Sequence, residues 1–271
     1  MRYEFVDQDQ PRAGSRKVGV GEISKHHDEV RSINRNLVST LDYTFDRNWG
    51  VSAVVPVVHP SHRHIHNHRG TPIAESWDFT RLGDIRVLGR FQTAASNPAT
   101  GRLSFFGINF GLKLPTGKHD VRNDEGALAE RSLQPGSGTT DALIGGFFSQ
   151  VIPGFDSSWF AQVLVQTPLD SRQDYRPGKR YTLDVGYRYE ASENVGLMLQ
   201  ANIQVRRRDR GAQAEPEDTG GRFVHVSPGI SYSLSKRTQL YGFVQLPVYQ
   251  HVNGVQLTAD WAAVVGLTTR F

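Results

Sequence analysis

The chain has 271 residues, with 31 Lys and Arg against 27 Asp and Glu, and a formal net charge of +4. Cysteine is absent, which excludes disulfides and zinc–thiolate sites. No stretch approaches the ~18 consecutive apolar residues that a membrane helix requires. The basic residues are spread along the chain, with one run at 206–208, so no nucleic-acid partner is expected.

The N-terminal segment MRYEFVDQDQPRAGSRKVGV lacks the apolar core of a signal peptide. The sequence is therefore expected to be that of a mature chain with a starting Met. No linker or charge block divides it, so we expect one domain over residues 1–271.

Alternation of apolar and polar residues is the main structural signal. Within 194–208, one face carries Val195, Leu197, Leu199, Ala201, Ile203 and Val205, and the other carries Met198, Gln200, Asn202, Gln204, Arg206 and Arg208. Segments 179–190 and 257–271 alternate in the same way. Because successive side chains of a strand point to opposite faces, each segment has one apolar and one polar face. This period of two predicts β-strands and not helices.

In chain order, the pattern predicts about twelve strands. They lie near 2–9, 29–45, 48–58, 78–94, 102–115, 139–152, 158–169, 179–191, 194–208, 222–235, 238–250 and 256–271.

The connections alternate between short turns and long polar loops. The short turns are at 46–48, 97–101, 153–156, 192–194 and 235–237, and Asn253-Gly254 predicts a tight hairpin. The long loops are near 10–28, 59–77, 116–138, 170–178 and 209–221. Outer-membrane barrels have short periplasmic turns and longer outer loops, whereas a soluble all-β domain, the alternative, has no reason to sort them.

Aromatic residues near strand ends, among them Tyr43, Trp49 and Trp159, are typical of the interfacial girdles of a barrel. Phe271 closes an alternating strand, as in a recognition signal for the barrel-assembly machinery. We therefore expect an all-β, transmembrane, antiparallel up-and-down β-barrel of about 12 strands in the bacterial outer membrane. It should be a monomer whose partners are outer-membrane lipid and lipopolysaccharide, with both termini in the periplasm.

Several short segments resemble one known family, the outer-membrane proteins of the MetA-pathway of phenol degradation family. They are LGDI at 82–85, GLKLPTG at 111–117, LQPGSG at 133–138, YRPG at 175–178, GG at 220–221, SPG at 227–229, QLPVYQ at 245–250, NG at 253–254 and QL at 256–257. The resemblance implies a barrel associated with the catabolism of aromatic compounds and often labelled a transporter. It implies no catalytic or binding residues.

If the apolar faces meet lipid, the opposite faces line the lumen. That places charged candidates inside the barrel: Asp42, Asp84, Arg86, Arg90, Lys113, Asp184, Arg188, Glu190, Arg206, Arg208, Asp260 and Arg270. Such a lining can filter solutes by charge and size, or it can form ion pairs that plug the barrel. Cations outnumber anions in this set, so any selectivity should favour anions.

Histidines occupy every second position of 61–68, a predicted outer loop. They are His62, His64, His66 and His68, and His59 and the pair His26-His27 can lie nearby. Alternate histidines of an extended segment point the same way, and imidazole is a common ligand of zinc, copper and nickel. The four form a candidate metal site, although no acid lies within the run; a solvated polar loop is the alternative.

His225-Val226-Ser227 has the His-x-Ser spacing of outer-membrane lipid hydrolases, with His as the base for a Ser nucleophile. Both residues should face the lumen, away from lipid, so no enzyme is predicted.

The leading hypothesis is an outer-membrane channel, without a cofactor, for small solutes that include aromatic or hydrophobic compounds. The alternative is a barrel that acts through its His-rich outer loop, as a metal-binding or surface-interaction protein.

Overall fold

The computed structural model describes residues 1–23, 28–68 and 71–271 and consists almost wholly of one antiparallel sheet. Twelve strands form its closed barrel. They are β1 (Arg2–Ala13), β3 (Asp28–Thr44), β4 (Trp49–His68), β7 (Arg86–Asn97), β8 (Arg102–Lys113), β9 (Asp141–Ile152), β10 (Ser157–Pro168), β11 (Arg180–Glu190), β12 (Val195–Arg206), β13 (Gly221–Ser233), β14 (Thr238–Val252) and β15 (Val255–Thr269). The twelve-stranded barrel predicted from the sequence is confirmed.

The barrel closes between the first strand and the last. β1 pairs with β15 from Arg2 opposite Gly266 to Ala13 opposite Val255. Met1 and Phe271 therefore lie at the end of the barrel that carries the short turns. Three short strands, β2 (Arg16–Lys17), β5 (Thr71–Asp78) and β6 (Arg81–Leu82), and the 3-10 helix Pro216–Asp218 complete the described secondary structure.

Large apolar side chains lie exposed on alternate positions of the strands, as at Leu197, Leu199 and Ile203 of β12. Tyr43 and Trp49 are exposed beside the short turn between β3 and β4. A continuous apolar exterior with aromatic residues at its edge is the surface of a membrane-spanning barrel. The described residues contain no helix that is long and apolar enough to cross a membrane.

The segment 59–77, predicted as a loop, is instead a two-stranded extension of the barrel wall. β4 continues to His68, and its outer half pairs with β5 from Ser61 opposite Asp78 to His68 opposite Thr71. Backbone pairing with β5 and packing on Trp77 hold this polar segment in place, although it has no apolar alternation. The segment 10–28 is likewise shorter than predicted, because β1 continues to Ala13.

The long connection 114–140 folds onto that extension. Trp77, Phe79, Val121 and Ala129 form a buried apolar cluster, and the Trp77 indole donates to the Ala127 carbonyl oxygen at 3.1 Å. The connection is thereby fixed against the β4–β5 extension at the outer end of the barrel.

Candidate functional site

The inner wall contains a buried ion network centred on Lys113. Its ammonium lies 3.0 Å from Asp84 and 3.2 Å from Asp141, and the Asp141 side chain is 1% exposed. β8 and β9 place Lys113 opposite Asp141 in register, and Gln166 of β10 donates to Asp141 at 2.5 Å. Buried charges require such compensation, so this network acts as one unit across three neighbouring strands.

Other predicted lumen charges have partners along the wall. Arg188 pairs with Glu190 on the same strand, and Asp184 accepts a hydrogen bond from Asn202 at 2.7 Å. Arg90 donates to Thr44 at 3.1 Å. Asp42 is exposed near the short-turn end of β3. Arg86 lies close enough to Asp141 and Asp84 to interact electrostatically with both.

Three of the predicted lumen residues lie beyond strand ends or at an irregular position in a strand. Arg208 follows the end of β12 and donates to the carbonyl oxygens of Pro216 and Glu217 in an outer loop. Arg270 follows the last residue of β15. Asp260 lies in an irregular stretch of β15 and pairs with Lys17 of β2 at 2.8 Å. The prediction assumed that inward and outward side chains alternate without interruption along each strand. In each case that alternation ends or becomes irregular before the residue in question.

Two adjoining cavities lead from the outer mouth into the barrel. The mouth cavity, of about 420 Å³, is bounded by Glu29, His62 and Glu130 among others. The lumen cavity, of about 300 Å³, is bounded by Arg180, Gln204 and His225 among others. Both are lined by Gln8, Arg206, Gln256 and Leu257. Arg206 therefore lies between the two cavities.

A second opening lies in the barrel wall. Among the described residues, the ladder between β14 and β15 runs only from Thr238 opposite Thr269 to Gln245 opposite Ala262. We call the unpaired stretch between 246–252 and 255–261 the wall window. An outward-facing wall cavity of about 460 Å³, which includes the exposed side chain of Val248, lies beside it.

The wall cavity and the lumen cavity share Pro247 and Gln250. Gln250 spans the window, because its amide donates to the Ala259 carbonyl oxygen at 3.0 Å and accepts from Arg12 at 2.9 Å. Side chains thus separate the lumen cavity from the outward-facing wall cavity at this point.

Two of the four candidate metal-binding histidines meet carboxylates at the mouth. His62 and His64 are each 3% exposed. His62 Nε2 lies 3.4 Å from Glu29, and His64 lies 3.0 Å from Glu75 through Nε2 and 3.4 Å from Glu130 through Nδ1. His66 and His68 end β4, and their side chains, like His26 and His27, fall outside the described residues.

The two imidazoles differ in their protonation. Burial lowers the pKa of His62 to about 4, although the Glu130 carboxylate opposes this, so its ring is neutral at pH 7. Burial also acts to lower the pKa of His64, but hydrogen bonds to Glu130 and Glu75 outweigh it and raise that pKa above its ordinary value.

The His-x-Ser pair does not form a nucleophile–base pair in this conformation. The Ser227 hydroxyl donates to Asn202 Oδ1 at 2.7 Å, and the His225 ring stacks on Phe223. A catalytic serine donates to its base, so this arrangement does not activate Ser227.

Solved outer-membrane barrels share this architecture. The COG4313 outer membrane channel from Pseudomonas putida F1 is 13% identical, with 99% of this chain and 93% of that chain covered at a TM-score of 0.66. The NanC porin is 9% identical, with both chains covered over 100% at a TM-score of 0.50. These similarities establish the fold. No curated protein sequence matches the chain.

The family model described as "Putative MetA-pathway of phenol degradation" matches residues 32–260. That match covers β4 to β14 in full, most of β3 and the first six residues of β15. The chain belongs to this family.

Proposed function

We propose that the protein is a passive channel for small solutes across the outer membrane. The observation that carries the proposal is the pair of adjoining cavities that share Gln8 and Arg206 and lead from the outer mouth into the barrel. The barrel closes by pairing its first strand with its last, and its polar inner face can hold water, which is the arrangement of a diffusion channel.

Small aromatic or hydrophobic compounds are the solutes that the wall window favours. An apolar solute dissolves in lipid, and the window places the lumen next to the exposed side chains of Leu246 and Val248. Two similarities support the same proposal: the family description names phenol degradation, and the similar Pseudomonas putida protein is an outer membrane channel.

An enzymatic function has less support. Ser227 donates its hydrogen bond to Asn202, so His225 does not act as its base. Ser227 and His225 both lie on the lumen face of β13. Lipid hydrolysis that is abolished by Ser227→Ala would be the result that favours the hydrolase.

Planar lipid bilayers test the channel directly. The refolded protein should give discrete steps of ionic current, with a modest preference for anions when a salt gradient is imposed. A bilayer that contains folded protein and conducts no better than the protein-free bilayer would contradict the proposal.

A further inference from the structure

Adjacent strands bring a carboxylate and two imidazoles together at the outer mouth. Glu29 lies on β3, and His62 and His64 lie on β4. The register places Glu29 opposite His64 and Ser32 opposite His62. One oxygen of Glu29 and one nitrogen of each histidine all lie within 4.8 Å of one another. We propose that Glu29, His62 and His64 form a binding site for a divalent transition-metal ion of the zinc class.

The chemistry of the three side chains fits that class of ion. Two imidazoles and one carboxylate are ligands for zinc, nickel and copper, whereas magnesium and calcium prefer oxygen ligands alone. His62 is nearly fully buried, and among the described residues neither of its ring nitrogens has a hydrogen-bond partner. Buried polar atoms normally have a partner. The ion-pair contact of His62 is Glu29, 3.4 Å from Nε2, and a metal ion bound by both side chains would satisfy the imidazole.

Two further carboxylates surround the three ligands. Glu75 of β5 bonds to His64 Nε2 at 3.0 Å, so Nδ1 is the nitrogen proposed to bind the metal ion. A carboxylate on the far nitrogen of a histidine fixes the ring and makes it a better ligand. Glu130 lies 3.4 Å from His64 Nδ1 and adds a further negative charge. Together with Glu29 these acids offset the charge of a divalent cation.

The ion has a route to the site. Glu29, His62 and Glu130 all line the mouth cavity, which is open to the exterior. Glu130 belongs to the connection 114–140, whereas the barrel strands β3 and β4 supply all three proposed ligands. The site does not depend on the channel proposal, since it would bind metal whether or not solutes pass.

The competing arrangement is an ion network that holds a proton in place of a metal. In that case His64 carries a positive charge between Glu75 and Glu130, and the cluster only stabilises the fold. The two arrangements differ in a measurable way, because a metal site binds zinc tightly with release of a proton and the ion network does not.

Isothermal titration of the metal-stripped, refolded full chain with ZnCl₂ tests the site, using protein without a polyhistidine tag. We expect one zinc ion per chain, with affinity reduced by about tenfold or more in His62→Ala and in the milder Glu29→Gln. His59→Ala and the double variant His66→Ala/His68→Ala are the controls and should bind as the unchanged chain does. The folded state of every variant is checked by its heat-dependent mobility on SDS gels.

Fluorescence gives a second readout on the unchanged chain. The Trp77 ring lies 4.9 Å from the His64 ring and 6.0 Å from the His62 ring, so CuCl₂ should quench it at one equivalent. Trp77→Phe should lose most of that quenching. Two results would overturn the assignment directly: the chain binds no zinc, or zinc binding is unchanged in His62→Ala. A loss of binding only in His66→Ala/His68→Ala would also overturn it, because it would place the site at the end of the hairpin.

Discussion

The Gln250 amide donates a hydrogen bond to the Ala259 carbonyl oxygen at 3.0 Å, across the wall window between β14 and β15. Its oxygen accepts from Arg12 of β1 at 2.9 Å. One side chain thus replaces several backbone hydrogen bonds. The wall is held closed at this point by side-chain hydrogen bonds, which a rotamer change can break. A ladder opens only when successive backbone hydrogen bonds between the two strands are broken.

Replacement of Gln250 should open this contact. In Gln250→Ala, the barrel loses a hydrogen bond of ~1 kcal/mol and gains free space between the lumen and the lipid. We expect faster uptake of a labelled apolar aromatic compound by cells that express the variant. The matched control is Gln200→Ala, because Gln200 lies in the unbroken ladder opposite Gly186 and Ser227. Equal uptake rates for the two variants would count against passage through the wall.

Removal of Lys113 should be severely destabilising. Lys113→Ala leaves Asp84 and Asp141 buried together without their cation. Removal of one partner of a buried ion pair typically costs about 3–5 kcal/mol, so the free energy of unfolding in urea should fall by that order. Lys118→Ala, at an exposed site five positions along, should have little effect. A similarly small change for both variants would mean that the network does not stabilise the barrel.

Arg206 should control ion selectivity. Its side chain lines both the mouth cavity and the lumen cavity and pairs with Asp209 at 2.8 Å. In Arg206→Ala the passage loses a positive charge and volume, so conductance should rise and the reversal potential in a salt gradient should shift towards cations. Arg208→Ala serves as the control, since Arg208 bonds to outer-loop carbonyl oxygens. An unchanged reversal potential in Arg206→Ala would place the selective part of the path elsewhere.

The turn between β3 and β4 should show a specific dependence on pH. The backbone N–H groups of Asn48 and Trp49 donate to the Asp46 carboxylate and lower the pKa of Asp46 below its ordinary value. A carboxyl group with a lowered pKa in the folded state stabilises that state above its ordinary pKa, and the stabilisation is lost as the pH falls through the lowered pKa.

Asp46→Ala should therefore lower the free energy of unfolding at neutral pH and differ little from the unchanged chain in strong acid. Urea unfolding at a series of pH values measures both. Glu193→Ala, at an exposed position in another short turn, should show no such convergence. A constant difference for Asp46→Ala at every pH would assign its effect to turn geometry and not to the carboxylate charge.

Strands that span the membrane were predictable because one physical rule determines them. The strand predicted at 179–191 is found at Arg180–Glu190, where lipid on one side and a polar lumen on the other enforce strict alternation. Beyond the membrane that rule no longer applies. The segment Ser61–His68 was predicted as a loop because its sequence does not alternate between apolar and polar residues. Its strand is instead held by pairing with β5 and by the apolar cluster around Trp77.

The histidine site could also be predicted only in part from the sequence. The sequence identified His62 and His64 as candidate ligands, but no acid lies within the run. Glu29, Glu75 and Glu130 come from three other segments, and only the folded chain brings them within 3.0–3.4 Å of the rings. The wall window left no signal in the alternation of 256–271 either, since it depends on where the ladder between two adjacent strands stops.

Cysteine accessibility tests the central claim, a solute path through the lumen, most directly. The chain has no cysteine, so a single thiol can be introduced at lumen-facing Gln204 or at its lipid-facing neighbour Ile203. In a planar bilayer, a charged water-soluble thiol reagent should reduce the current through Gln204→Cys and leave that through Ile203→Cys unchanged. A current that the reagent leaves unaltered in Gln204→Cys, with the thiol shown to be modified, would contradict a path through the barrel.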